Sequence, residues 1–147
     1  MKTVKSQCSF EEVIKKSRFI ARTSRVDTVD DAMTFIGHVS ESEANHNCWA
    51  YKIGDLYRFS DDGEPGGTAG RPMFMAIEQQ DFDHVVVVVT RYFGGIKLGA
   101  GGLARAYGGC AGKCLQQAEP YTVQHRTIFT LTVPFSGTGI VYQFLDN

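Results

Sequence analysis

No stretch of this chain approaches the ~20 consecutive apolar residues that a membrane-spanning helix needs. The longest apolar runs are Met73–Ile77 and Val85–Val89. The N-terminal residues Met1-Lys2-Thr3-Val4-Lys5 are polar and lack the apolar stretch of a signal peptide. The cytoplasm is therefore the expected location, with no membrane contact. The four cysteines, Cys8, Cys48, Cys110 and Cys114, contain no C-x-x-C pair and match no zinc or redox spacing. In a reducing compartment all four read as free thiols. Net charge is nearly absent as well, at −1, so bulk electrostatics draws in neither nucleic acid nor a basic partner. Sequence-specific DNA binding is not expected.

What remains is an ordinary globular composition: 147 residues, 43% apolar and 21% charged, enough for one domain with a core. The charges are unevenly spread. Residues 1–25 hold seven Lys/Arg against Glu11 and Glu12, and residues 26–64 hold nine Asp/Glu against Lys52 and Arg58. Residues 65–118 carry Arg71, Arg91, Lys97, Arg105 and Lys113 against Glu78, Asp81 and Asp83. This pattern fits a mixed solvated surface, or a basic patch around the glycine-rich segments.

Ser17–Val26 alternates and reads as a strand. Asp27 or Thr28, with Asp31 three residues after Thr28, caps a helix whose apolar stripe is Val29, Ala32, Met33, Ile36 and Val39. Cys48–Ile53 and Leu56–Ser60 form a hairpin about Gly54-Asp55. A second helix is expected from Thr68, with Pro72 in its first turn and Met73, Ala76 and Ile77 inward. Val85–Phe93 reads as a central strand buried on both faces. A third helix runs from Gly101 to Ala118 on a stripe of Leu103, Tyr107, Cys110 and Cys114, closed by Pro120. Thr127–Val133 reads as a strand and Ser136–Asn147 as the start of a helix. Too short for a core of its own, 121–147 is expected to open a second small domain. A hairpin mixed with helical connections indicates an α+β fold, not a doubly wound parallel sheet.

Two glycine-rich segments carry the chemistry. Gly94–Gly102 follows a buried strand and opens a helix, where backbone N–H groups and the helix dipole hold anions. Gly94, Gly95, Gly99 and Gly101 are its candidate binding positions, flanked by Arg91, Tyr92 and Lys97. Gly94…Gly99 has Walker spacing, but Ala100 and Gly101 stand where Lys and a hydroxyl belong. Gly99-x-Gly101-x-x-Ala104 approaches a dinucleotide fingerprint, yet Glu119 ends a helix instead of a strand. Both motifs are rejected. Gly108, Gly109 and Gly112 each cost a helix ~1 kcal/mol against alanine, and tight packing of the helix on the sheet is their expected reason. The segment Ser60–Pro72 places Asp61, Asp62 and Glu64 together, with Thr68 and Arg71 at the following helix start. Its carboxylates suit a divalent cation, an acid/base pair, or turn and capping chemistry; the last is favoured. His46 and Cys48 share a strand face and read as a packed cysteine beside a hydrogen-bonded histidine before a nucleophile pair. Tyr92 and Phe93 offer rings to stack bases, although alternation buries at least one of them.

His46-x-Cys48-x-Ala50, Phe59-Ser60-Asp61-Asp62-Gly63-Glu64-Pro65-x-Gly67-Thr68-Ala69-Gly70-x-Pro72 and Val87–Leu103 (VVVTRYFGG-x-x-LG-x-GGL) resemble the YigZ/Impact family from about Lys15 to Leu115. The resemblance implies a fold like the second domain of ribosomal protein S-five. It also implies that 121–147 begins a ferredoxin-like domain, the first domain occupying 1–120. Eukaryotic Impact regulates translation by competing for the activator of a kinase that modifies an initiation factor, partly through a domain this chain lacks. The expected function is a non-catalytic, translation-linked binding protein, holding RNA, the ribosome or an acidic protein partner with no cofactor. The alternative is an enzyme using the acidic loop 61–64 with His46 and Arg91.

Overall fold

Five valines in succession leave β6 (Val85–Tyr92) no polar face, and every residue from Val85 to Arg91 is buried. Such a strand belongs in the middle of a sheet covered on both sides. The computed structural model, which describes residues 1–123, 127–135 and 138–146, places it there. Strands β2 (Cys8–Ile14), β3 (Ser17–Arg25), β4 (His46–Ile53) and β5 (Leu56–Ser60) complete a five-stranded sheet in the order β2-β3-β6-β4-β5. Every neighbouring pair is antiparallel. Side-chain alternation then divides the valines. Val85, Val87 and Val89 join a core with α2 (Gly70–Gln79) and α3 (Gly99–Gln117); Val86 and Val88 join a second with α1 (Val29–Val39). The domain is α+β.

The expected elements are largely present. Thr28 Oγ1 accepts from the Asp31 N–H at 3.1 Å and caps α1. Phe35, not Met33, completes the buried stripe of that helix, with Met33 left 37% exposed. Met73, Ala76 and Ile77 of α2 face inward, as do Leu103, Tyr107, Cys110 and Cys114 of α3. Helix α2 starts two residues after Thr68, and α3 two residues before Gly101. The glycines inside α3 seat it on α2 instead of the sheet. A Cβ on Gly108 would stand 3.3 Å from Pro72, and one on Gly112 3.4 Å from Gln80. Gly109 meets nothing within 4 Å.

Three strands escape the sequence reading. β2 lies at the sheet edge; it joins β3 through a two-residue turn in which Lys15 and Lys16 both hold positive φ, 47° and 68°. A type I′ turn demands that geometry, which asparagine and glycine normally supply. β1 (Lys2–Val4) and β7 (Pro120–Thr122) pair with one another, and Met1 and Val123 exchange backbone bonds of 3.1 and 2.7 Å beyond them. The helix expected over 136–147 is corrected: β9 (Thr138–Asp146) is a strand, antiparallel to β8 (Thr127–Phe135), and 136, 137 and 147 lie outside the described residues. Ile140, Val141, Tyr142 and Phe144 are strand formers. Among the described residues no helix is long and apolar enough to cross a membrane.

Candidate functional site

The two glycine segments meet. Between them lies a cavity of about 420 Å³ whose walls include His46, Glu64, Arg91, Phe93, Lys97 and Gly99. Each group arrives from a different element. His46 opens β4, Arg91 is next to last in β6, Glu64 sits on the acidic loop, and Lys97 and Gly99 lead into α3.

At the floor is a buried ion pair. Glu64 accepts from Arg91 Nη1 at 2.8 and 3.1 Å and from Tyr107 Oη at 2.5 Å. The Arg91 and Glu64 side chains are only 6% and 3% exposed. Arg91 also donates to Ser17 Oγ through Nε and Nη2, at 3.3 and 3.2 Å, and lies against the Phe19 and Phe93 rings. A charged pair survives burial only with its remaining bonds satisfied, and among the described residues no buried side-chain polar atom lacks a partner. Arg91 is therefore committed to Glu64 and does not reach out as a free surface cation.

His46 stands beside this pair. Its Nδ1 contacts the Asp62 carbonyl at 2.8 Å, and its Nε2 lies 3.4 Å from Glu64 Oε1. A carbonyl oxygen only accepts, so Nδ1 carries a hydrogen and Nε2 is the ring nitrogen turned to Glu64.

The acidic loop is fastened by its own carboxylates. Asp61 accepts from the Gly67, Ala69 and Gly70 N–H groups at 3.0, 3.0 and 2.9 Å, capping α2 from across the loop. Burial pushes its carboxyl up, but these three bonds outweigh that and hold it below the usual aspartate range. Asp62 accepts from the Asn47 N–H at 2.7 Å, and Thr68 Oγ1 donates to the Pro65 carbonyl at 2.6 Å. Among the described residues no three His, Cys, Asp or Glu side chains are grouped to hold a metal ion. Cys48 donates to the Asp61 carbonyl at 3.0 Å; burial above all, with the carboxylates of Glu64, Asp62 and Asp61 adding to it, pushes the thiol up to about 12. Cys48 and His46 are thus each fastened to a carbonyl of the acidic loop, Asp61 and Asp62 respectively.

The second segment is shaped differently. A Cβ on Gly94 would stand 1.9 Å from the Lys16 carbonyl oxygen, so the loop is clamped to the β2–β3 turn. The Gly94 N–H reaches Ser17 Oγ at 3.3 Å, and the Phe93 N–H reaches Asn45 Oδ1 at 2.8 Å. Gly95 and Gly99 have positive φ, 94° and 75°. Helix α3 begins with no side chain capping its N–H groups and no acidic residue in its first turn. Its start faces the cavity at Gly99 and Ala100, beside an exposed Lys97.

Of the twelve candidate binding residues the cavity walls include Glu64, Arg91, Lys97 and Gly99, and the others lie outside its lining. Arg71 is exposed on the first turn of α2 and does not line the cavity. Gly101 is exposed one position further into α3. Tyr92 is half-buried on the opposite face of β6, donating to Glu41 at 2.9 Å. Phe93 is 46% exposed, so alternation fully buries neither ring. Tyr107 and Ser17 complete the ion-pair network without having been singled out. A tyrosine on a buried stripe was the available signal, because a buried phenol needs a partner.

The residues that build this site fall in a region, 15–115, that matches the Impact N-terminal domain. The chain belongs to the Impact family. An Impact family member from Thermus thermophilus is 47% identical over 133 residues, spanning 90% of this chain and 74% of that protein. The Impact family member YvyE of Bacillus subtilis is 51% identical over 111 residues, 72% of this chain and 51% of its own length. A crystal structure of a hypothetical protein, 37% identical, superposes with a TM-score of 0.83 over 91% of this chain and 68% of the other.

Proposed function

We propose that this Impact-family chain is a non-catalytic binding protein of translation control, and that the cavity between its glycine loops holds an anionic group of the partner. The translation link rests on the family resemblance. The anion rests on one observation: the uncapped start of a 19-residue helix opens into a cavity beside exposed Lys97. A helix N-terminus carries roughly half a positive charge and N–H groups free to donate. Glu64 does not oppose it, because Arg91 neutralises that carboxylate.

The test is co-sedimentation with ribosomes across a salt series, using the wild type and Lys97→Glu. Salt-sensitive pelleting that Lys97→Glu abolishes is the expected result. Pelleting indifferent to salt and to this substitution overturns the reading. Arg91→Glu is a poor probe, because it places two carboxylates together in the core.

A catalytic reading has one observation in its favour: His46, Glu64 and Arg91 converge at a cavity, with His46 Nε2 3.4 Å from Glu64 Oε1. Its weakness is that Asp61, Asp62 and Glu64 are occupied by backbone groups or by Arg91. Hydrolysis of p-nitrophenyl phosphate that is lost in His46→Gln, with folding intact, would favour it.

A further inference from the structure

The cations of this protein are mostly spent within it. Lys5, Arg18, Arg22, Arg25, Lys52, Arg91 and Lys113 each pair with a carboxylate. Lys2 and Arg58 lie over the rings of Phe82 and Trp49. Among the described residues five cations have neither kind of partner: Lys15, Lys16, Arg71, Lys97 and Arg105. Four of them gather on one side. Lys15 and Lys16 form the β2–β3 turn, Lys97 ends the glycine loop clamped to that turn, and Arg105 projects from α3.

A groove of about 230 Å³ runs between β2 and α3 there, with Lys15 and Arg105 on its walls and Gly102 and Gly109 in its lining. Its carboxylate, Glu12, is neutralised by Lys113 at 2.8 Å. Leu98 lines both this groove and the cavity described above, so the two adjoin across one side chain. Gly109 stands out further. Gly108 and Gly112 have packing reasons, whereas a Cβ on Gly109 would meet open space, and the residue is exposed. Among the described residues nothing within 4 Å of that position requires a glycine, and the open space would admit a chain lying in the groove.

We infer that this groove carries the phosphodiester backbone of a single-stranded RNA, which passes over Leu98 so that Lys15, Arg105 and Lys97 meet successive phosphates. The inference shares Lys97 and Phe93 with the cavity reading, on which that end of the track rests, and adds Lys15, Arg105 and the groove itself. RNA fits better than an acidic protein segment because the track ends at Phe93, a ring 46% exposed at the cavity wall. A nucleotide brings a phosphate for the cations and a flat base for that ring; an acidic peptide brings only the charge.

The experiment is fluorescence anisotropy of a labelled twelve-nucleotide oligouridine across a salt series. The proteins are the wild type, Lys15→Gln/Arg105→Gln, Lys97→Glu and Gly109→Gln. Each phosphate contact to a single strand contributes about 0.7 to the slope of log K against log salt, so the double variant should flatten the slope by about 1.4. Gly109→Gln should weaken binding while its melting temperature holds or rises, because the added side chain fills the groove and not the core. Weakening by Lys97→Glu alone, with the double variant matching the wild type, overturns the groove and leaves the cavity reading intact. Loss in the double variant alone supports the groove and removes the cavity from the track. No oligouridine binding, or equal binding of polyglutamate with the same losses, overturns RNA as the occupant.

Discussion

Removing Arg91 tests whether the floor of the cavity is one coupled unit. In Arg91→Ala, Glu64 would lose two bonds from Nη1, and Ser17 would lose two donors. Glu64 would keep Tyr107 and His46 but lose its cation in a site where its side chain is 3% exposed. Breaking a buried pair from one side costs about 3–5 kcal/mol, a large part of the roughly 5–15 kcal/mol that holds a domain together. Glu64→Ala should cost a similar amount, since it strands the guanidinium. The double variant strands neither charge and should cost far less than the sum, leaving a coupling of up to about 3 kcal/mol. Urea unfolding followed by the fluorescence of Trp49, the single tryptophan, gives all four corners of the cycle. Two results would refute the reasoning. One is additivity within about 0.5 kcal/mol, the behaviour of independent sites. The other is a cost for Arg91→Ala under about 1 kcal/mol, the range of an exposed pair.

Asp61→Asn should destabilise the acidic loop by about 1–3 kcal/mol, as three N–H groups lose a charged acceptor. Because the folded carboxyl lies below its usual range, its contribution is fully present above the ordinary aspartate value and is lost as pH falls through the folded one. The wild type should therefore lose more stability than Asp61→Asn between pH 5 and pH 2, roughly the interval over which depressed carboxylates titrate; parallel acid-unfolding curves would contradict this. In native protein a thiol reagent such as dithionitrobenzoate should label only Cys8, because Cys48, Cys110 and Cys114 are buried with thiols pushed well above their ordinary value; fast release from more than one thiol would argue against that. Gly109→Ala should stabilise by up to ~1 kcal/mol, whereas Gly94→Ala, whose Cβ would overlap the Lys16 carbonyl, should unfold or displace the loop, as thermal melts would record.

The elements legible in the sequence were those whose signal is local. The valine run, the hairpin about Gly54 and the stripes of α2 and α3 follow from periodicity and turn chemistry alone. β2 was missed because its sequence, CSFEEVI, alternates half-buried with exposed positions and sets Glu11 and Glu12 side by side. β1 and β7 have three residues each and exist only through one another. No window of sequence contains both. The helix expected over Ser136–Asn147 runs against the strand-forming chemistry of Ile140, Val141, Tyr142 and Phe144. At the site, the sequence singled out His46, Glu64, Arg91 and Lys97 without their arrangement. That Arg91 turns inward depends on Glu64 and Tyr107 arriving from a distant loop and helix, a tertiary fact no motif encodes.

The pairing of β1 with β7 gives the domain a seam. Residues 2–4 meet residues 120–122, so a segment synthesised before the sheet is stitched to one synthesised after it. During vectorial synthesis Lys2–Val4 therefore waits unpaired while the whole five-stranded sheet emerges. Closing so long a loop costs entropy that only the late contacts repay. The same seam brings residues 1 and 123 within hydrogen-bonding reach. A circular permutant of 1–123, joined there by a short linker and reopened at the exposed Gly54-Asp55 turn, should thus keep the cavity and groove while assembling in a different order.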